Sequence, residues 1–292
     1  MLPLNIKSLI LDMDGVLWKA DAPIGDLPAI FARIRARGLT VAFATNNGTR
    51  TPEQYVEHLA GFGVQAEAWQ VVTSSLVVAH LLEKQFPPLP PGAPQGCFAK
   101  GPGPALSPSF VRMNSAEGVR AKVFAIGESG VMNALREKGF ELLSVDEAER
   151  AQAVVMGVDR QINFDKMREA ALLVRRGLPF YATNPDKTFP TPRGEIPGAG
   201  AWISVVVTAT GVEPVYAGKP APYLIELARE RLGTAKEETL VVGDRLETDI
   251  AGGQAAGMPV ALVLSGVSTR EKGEAWRPKV DVIAEDLGEL VG

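Results

Sequence analysis

The chain has 292 residues, with 30 basic and 34 acidic side chains and a formal net charge of −4. Because both signs are interspersed, the composition lacks the basic footprint of a protein that binds nucleic acid or an anionic membrane surface. The single cysteine, Cys97, excludes an intramolecular disulfide and a cysteine-based zinc site, and it favours a reducing compartment. We therefore expect a cytoplasmic protein, without a signal peptide or a membrane-spanning helix.

Four short aliphatic runs, each followed by a helical pattern, predict a parallel sheet covered by helices on both faces. The runs are SLILD (8–12), TVAFAT (40–45), TLVVGD (239–244) and VALVLSG (260–266). The segment TPEQYVEHLAGFG opens with Thr51 in a capping-box pattern and predicts one of the helices. The fold class is therefore α/β, with a Rossmann-like parallel-sheet core.

The middle of the chain reads as a separate unit. Residues 86–108 hold 8 of the 22 prolines, which excludes regular helix or central strand and predicts an extended linker or insertion loop. A second strand–helix series follows, in KVFAIG (122–127), AVVMGVD (153–159) and PFYATN (179–184). We expect a core formed by residues 1–84 and 214–292, interrupted by an inserted α/β domain at residues 85–213.

Polar side chains follow the strands at their carboxyl ends, where open parallel sheets bind ligands. SLILD ends at Asp12, with Asp14 two residues later, and TVAFAT ends at Thr45, before Asn46 and Asn47. PVYAG, read as a further strand of this sheet, leads to Lys219, and TLVVG leads to Asp244 and Asp249.

These residue types suit phosphoryl transfer. Clustered Asp oxygens are hard ligands for Mg²⁺, and a lysine, a hydroxyl and backbone N–H groups neutralise phosphoryl oxygens. One Asp can attack phosphorus to give an aspartyl phosphate, while a second protonates the leaving oxygen and later activates water.

Together the motifs resemble those of a known family. LDMDGVLW, the Thr45-Asn46 strand end, AGKPAP and GDRLETD are similar in order and spacing to the four signature motifs of the haloacid dehalogenase superfamily of phosphohydrolases. The insert, which ends in ATNPDKTFPTPRGEIPGAGA (182–201), resembles the large α/β cap of the NagD-like, 4-nitrophenylphosphatase-like subgroup.

The resemblance implies a role for each matching residue. Asp12 is the nucleophile and a Mg²⁺ ligand, and Asp14 is the general acid/base with its backbone carbonyl on the metal. Thr45, Asn46 and Asn47 bind the phosphoryl group, and Lys219 pairs with that group and with Asp12. Asp244 completes the metal site, and Asp249 is either a ligand or a residue that orients one. In the cap, Asp186 and Phe189 lie in a loop expected to face the substrate.

We therefore expect a Mg²⁺-dependent phosphatase acting on a small-molecule phosphate ester. One alternative is a phosphotransferase or phosphomutase with the same aspartyl-phosphate chemistry; another is a non-catalytic phosphoacceptor module. The resemblance also implies a homodimer formed through the cap. Trp18 follows the nucleophile loop and is interpreted either as a packed core residue or as part of a gate to the site.

Overall fold

A computed structural model of the chain describes residues 2–20, 22–87, 120–191 and 193–292, and it describes Phe189 and Pro190 by their backbone alone. Most of the proline-rich segment 86–108 lies outside these residues, so its reading as a linker or insertion loop stays a prediction. Within the described residues, no helix is both long enough and apolar enough to cross a membrane.

The first sheet of the described chain has six strands, all parallel. In spatial order they are β15 (Val282–Ala284), β14 (Val260–Val263), β13 (Thr239–Gly243), β1 (Ser8–Leu11), β4 (Thr40–Thr45) and β5 (Val71–Thr73). This sheet confirms the predicted Rossmann-like core, since the four aliphatic runs form β1, β4, β13 and β14.

Helices cover both faces of this sheet because successive strand residues point to opposite sides. Leu9 and Leu11 pack toward one face and Ile10 toward the other. The helices are α1 (Leu27–Ala36), α2 (Pro52–Gly61), α3 (Ser74–Gln85), α7 (Tyr223–Leu232), α8 (Ala251–Ala255), α9 (Arg270–Ala275) and α10 (Leu287–Val291). The predicted capping box of α2 is confirmed, because Thr51 and Gln54 exchange side-chain to backbone hydrogen bonds.

Short elements complete the chain. Two antiparallel hairpins are formed by β2 (Trp18–Lys19) with β3 (Ala22–Pro23), and by β10 (Thr188–Thr191) with β11 (Gly194–Pro197). Short 3₁₀-helices lie at Ala68–Gln70, Val145–Arg150 and Lys236–Glu238, and a π-helical turn lies at Leu246–Ile250.

The second sheet has five described parallel strands. In order they are β12 (Val215–Tyr216), β9 (Phe180–Ala182), β8 (Ala153–Met156), β6 (Lys122–Ile126) and β7 (Glu141–Leu143), with helices α4 (Ser129–Glu137), α5 (Phe164–Arg175) and α6 (Ala199–Thr210). The sequence thus correctly predicted a second α/β unit, which we call the cap.

One strand is not where the sequence placed it. PVYAG was expected in the first sheet, but β12 pairs with β9 in the cap sheet, with Tyr216 opposite Ala182. That placement is wrong because two paired residues carry no pattern that identifies a partner strand. The domain bounds 1–84, 85–213 and 214–292 remain a prediction.

The cap and the core share buried surface. One hydrophobic cluster runs from Ile10 in β1 through α3 and α4 to Val123 and Val155 in the cap sheet. At the start of α4, Gly130 lies so close to the core that a Cβ there would stand 2.3 Å from the carbonyl oxygen of Gly48. The Gly130 N–H also donates to the Thr49 carbonyl at 3.2 Å. The cap therefore rests on the loop that follows β4.

Candidate active site

The predicted polar residues meet at the carboxyl edge of the first sheet. Asp12 follows β1, Thr45 ends β4 and Asp244 follows β13, and β1 lies between the other two strands. Lys219 reaches the same place from the cap side, because it comes three residues after β12. The strand ends thus bring together side chains that are more than 200 residues apart in sequence.

Lys219 contacts residues from three of the elements that form the site. Its ammonium lies 2.5 Å from Asp12 Oδ1, 2.6 Å from Asp249 Oδ1 and 2.9 Å from the Ala44 carbonyl oxygen. A lysine ammonium has three donors, and here each has an acceptor. The residue is 2% exposed. Burial alone would lower its pKa, but Asp12 and Asp249 outweigh burial and raise the pKa above the ordinary lysine value.

Three carboxylates cluster at this site, and two of them, Asp12 and Asp249, contact the ammonium of Lys219. Asp12, Asp244 and Asp249 place one oxygen each within 4.8 Å of one another. Burial raises the pKa of Asp12 well above its ordinary value, with Lys219 opposing and Asp249 and Asp244 adding to the rise. Burial, with Asp249 beside it, raises the pKa of Asp244 to about 7. The cluster therefore has three carboxylates and one ammonium, and this surplus of negative charge on hard oxygen donors fits a divalent cation such as Mg²⁺.

Backbone atoms pack directly against Asp244. A Cβ added to Gly266 would lie 1.9 Å from Asp244 Oδ2, and one added to Gly15 would lie 2.5 Å from the same oxygen. The N–H of Val267 donates to this oxygen at 2.8 Å. Glycines are needed at both positions because any side chain there would displace the carboxylate.

Asp249 has a second contact besides Lys219. Its Oδ2 accepts a hydrogen bond from the Arg245 N–H at 3.0 Å. Asp249 therefore ties the lysine to the turn that follows β13. Its carboxylate is close enough to the cluster to serve as a metal ligand, and its two contacts also suit a residue that orients the others.

Asp14 lies at the open side of the cluster. Its Oδ1 accepts a hydrogen bond from Trp18 Nε1 at 2.9 Å. Part of Asp14 is exposed to solvent. The surrounding protein nevertheless desolvates the carboxyl group and raises its pKa, and the hydrogen bond from Trp18 opposes that rise. Trp18 itself is buried, as the packed-residue interpretation predicted.

The loop after β4 holds the remaining predicted phosphoryl contacts. Thr45 Oγ1 accepts from the Asn47 N–H at 3.0 Å, which closes a turn. Asn47 Oδ1 accepts from the Thr49 hydroxyl at 2.7 Å, and the Asn47 carbonyl accepts from the Tyr55 hydroxyl at 3.0 Å. The side-chain oxygen of Asn47 thus shapes the loop, while its predicted contact with substrate stays a prediction.

Asn46 binds the backbone of Lys219. Its Oδ1 accepts the Lys219 N–H at 2.7 Å, and its Nδ2 donates to the Lys219 carbonyl at 2.9 Å and to Asp186 Oδ2 at 3.1 Å. Both amide hydrogens and the amide oxygen are therefore used within the protein. The phosphoryl contact that the sequence analysis expected for Asn46 stays a prediction.

Asn184 is a site residue that the sequence analysis did not single out. Its Nδ2 donates to the Asn46 carbonyl at 2.7 Å, and its Oδ1 accepts from the Asp186 N–H at 3.1 Å. Its position two residues after β9 and two residues before Asp186, in the motif ATNPD, was the available signal. Phe189 lies in β10, and its side chain is outside the described residues.

Comparisons with known proteins identify the family of this chain. Residues 9–141 match the family described as haloacid dehalogenase-like hydrolase, and residues 216–290 match a second family described as HAD-hydrolase-like. The 5'-nucleotidase YutF of Bacillus subtilis is 34% identical over 265 residues, which are 91% of this chain and 90% of the relative. An acid sugar phosphatase of Staphylococcus aureus is 34% identical over 98% of this chain and 96% of its own length.

Solved structures share the whole fold. A p-nitrophenyl phosphatase from Archaeoglobus fulgidus is 31% identical, with a TM-score of 0.80 and 98% coverage of both chains. The glycerol phosphate phosphatase Rv1692 of Mycobacterium tuberculosis, solved with magnesium, is 32% identical, with a TM-score of 0.81 over 98% of this chain and 76% of its own.

The contact between Gly266 and Asp244 gives a first testable prediction. Gly266→Ala should displace the Asp244 carboxylate and weaken Mg²⁺ binding about 10- to 100-fold, the usual cost of disturbing the surroundings of a metal ligand. Isothermal titration calorimetry with Mg²⁺ measures this directly. The matched control is Gly61→Ala in α2, where nothing lies within 4 Å of the added Cβ. Equal Mg²⁺ affinity in the two variants would contradict the prediction.

The Asn46 contacts give a second prediction. Asn46→Ala leaves the Lys219 backbone and Asp186 without their amide partner, so the free energy of unfolding should fall by about 1–3 kcal/mol in urea denaturation. Asn5→Ala is the control, because exposed Asn5 donates one side-chain hydrogen bond, to the Glu237 carbonyl. If both variants lose the same stability, Asn46 does not have the role that its contacts indicate.

Proposed function

This chain belongs to the haloacid dehalogenase-like hydrolases and is a phosphatase of that family, and we propose that it hydrolyses small phosphate monoesters with Mg²⁺ through an aspartyl phosphate on Asp12. The relatives named as phosphatases and as a 5'-nucleotidase, each similar over nearly the whole chain, confirm the sequence prediction of a phosphatase. The cofactor, the intermediate and the individual residue roles are the parts that we propose.

The contact between Asp12 and Lys219 carries the proposal. A buried ammonium 2.5 Å from Asp12 Oδ1 holds that carboxylate in one orientation at the sheet edge. The remaining carboxylates of the cluster supply negative oxygens to which a divalent cation binds. A carboxylate placed between an ammonium and a cation site is suited to attack phosphorus, because the phosphoryl oxygens are neutralised from two sides.

Hydrolysis then takes two steps. In the first, a carboxylate oxygen of Asp12 forms a bond to phosphorus while the bond to the ester oxygen breaks, and Asp14 gives that oxygen its proton. In the second, Asp14 takes a proton from water as the water oxygen attacks phosphorus, which releases inorganic phosphate and restores the Asp12 carboxylate. We propose that Lys219 attracts the phosphoryl oxygens by its charge while it keeps its contact with Asp12, and that Thr45, Asn46 and Asn47 contact the same oxygens.

Mg²⁺ would be held by Asp12, Asp244 and the backbone carbonyl of Asp14, with Asp249 as a ligand or an orienting residue. When bound, the ion supplies positive charge that offsets the carboxylates and the phosphoryl oxygens. Asp249 keeps Lys219 and the Arg245 backbone in place in either case.

The cap selects the ester. Asp186 contacts the site through Asn46, and we propose that Asp186 and Phe189 face the leaving group once substrate is bound. Nucleoside monophosphates, sugar phosphates and glycerol phosphate are candidate substrates, because the names of the relatives and of the solved structures point to these esters. The proposal includes a cytoplasmic location and a homodimer formed through the cap.

The first test is phosphate release from these esters and from 4-nitrophenyl phosphate, with and without Mg²⁺. Asp12→Asn should reduce release by about 10³-fold or more, because an amide cannot form the acyl phosphate. Asp26→Asn is the matched control, since exposed Asp26 caps α1 and asparagine caps equally well.

Three other outcomes of this test would count against the proposal. Release that persists in Asp12→Asn would remove Asp12 as the nucleophile. Release that depends on an added acceptor alcohol would favour a phosphotransferase. A stable phosphorylated Asp12 without turnover would favour a phosphoacceptor.

A separate prediction concerns Asp14. Asp14→Asn should lower kcat about 10²- to 10⁴-fold, because an amide neither donates the proton to the leaving oxygen nor accepts one from water. Mg²⁺ affinity in calorimetry should be largely unchanged, since the proposed metal contact is through the main chain. Loss of Mg²⁺ binding would show instead that the side chain is a ligand.

A further inference from the structure

The turn after the nucleophile, at residues 13–18, brings Trp18 back to Asp14. The Gly15 N–H donates to the Trp18 carbonyl at 2.7 Å, and the Trp18 N–H donates to the Met13 carbonyl at 3.3 Å. Gly15 has φ +87°, a conformation that favours glycine. This tight turn places the Trp18 indole N–H 2.9 Å from Asp14 Oδ1.

The indole is held from its other sides. Trp18 is 3% exposed. Its ring is stacked with Phe62 at a centroid distance of 5.6 Å and meets the edge of His58 at 4.8 Å with an interplanar angle of 82°. Both partners come from α2 or the residue that ends it, so the indole has little freedom to follow Asp14 if that side chain rotates.

An indole N–H donates and does not accept. When it is bonded to Oδ1, it opposes a proton on that oxygen, and the proton of a neutral Asp14 is therefore placed on Oδ2. The contact thus fixes both the orientation of the carboxyl group and the oxygen that carries the transferable proton. Packing alone does not require the indole N–H, because a phenyl ring at position 18 would fill most of the apolar space beside His58 and Phe62.

We infer that Trp18 is a positioning residue that aims the Oδ2 proton of Asp14 at the leaving-group oxygen. This inference rests on the proposed function, since it assigns a helper to the proposed general acid. It gives Trp18 a specific role where the sequence left it between core packing and gating.

The test compares leaving groups. Phenyl phosphate and 4-nitrophenyl phosphate differ by one nitro group, and the poorer phenol leaving group depends more on protonation. In Trp18→Phe, kcat/KM for phenyl phosphate should fall about tenfold while that for 4-nitrophenyl phosphate falls much less, because the ring contacts stay and the hydrogen bond that orients the Asp14 carboxyl group is lost. Asp14→Asn should show the same preference more strongly, and adding Trp18→Phe to it should change the ratio no further.

Trp276→Phe is the matched control. Its Nε1 donates to Gln254 Oε1 at 3.1 Å, so the same substitution removes a comparable indole hydrogen bond elsewhere in the fold. The ratio of the two kcat/KM values should stay at the wild-type value. A Trp18→Phe variant that slows both substrates equally, or neither, while Asp14→Asn discriminates between them, would overturn the inference. An Asp14→Asn variant that fails to discriminate would overturn the acid role of Asp14 in the proposed function.

A second measurement does not need Trp18→Phe to fold. The protein has four tryptophans, so its ¹H–¹⁵N spectrum contains four indole N–H signals. Asp14→Ala should displace one of them strongly, because that hydrogen loses a carboxylate acceptor, and leave the others near their wild-type positions. Four unmoved indole signals would show that the hydrogen bond is absent in solution and would overturn the inference.

Discussion

The structure depends on one buried ammonium that has to be satisfied. Lys219 is surrounded by protein, and an unpaired charge there would cost far more free energy than a folded domain can spare. Its three acceptors come from the end of β1, the end of β4 and the turn after β13, so the lysine joins three strand ends. The same arrangement leaves the carboxylates short of positive charge. The stability of this sheet edge and the proposed affinity for a cation thus depend on one set of contacts.

The loop after β4 connects the Lys219 site to the cap. Asn46 holds the backbone of Lys219 and the cap residue Asp186, and Asn184 in turn holds the carbonyl of Asn46. Thr45, the proposed phosphoryl contact, begins this loop and is bonded within it. The proposed substrate contacts and the observed contacts between loop and cap therefore involve the same few residues, as a phosphatase whose cap closes over its site requires.

The sequence predicted the first sheet and its acidic edge because both depend on local patterns. The aliphatic runs predict which strands are buried, and the residues that close them, Asp12, Thr45 and Asp244, predict where the polar groups lie. It failed for β12, since two residues do not specify a partner strand. The sequence also did not show that the side-chain amide of Asn46 binds the backbone of Lys219, because that contact joins residues 173 positions apart. The pairing of Lys219 with Asp12 was predicted only through the family resemblance, because no local pattern links residues so far apart in sequence.

The contact of Gly130 with Gly48 has a consequence for engineering. Two backbones meet there without side chains between them, and the first turn of α4 rests on the loop that carries the site. A cap taken from a relative would have to reproduce this glycine at the start of its own helix, or the graft would push the loop away from Lys219. Chimeric enzymes with exchanged caps should therefore be assembled around this seam, with both glycines kept, before any specificity residue is altered.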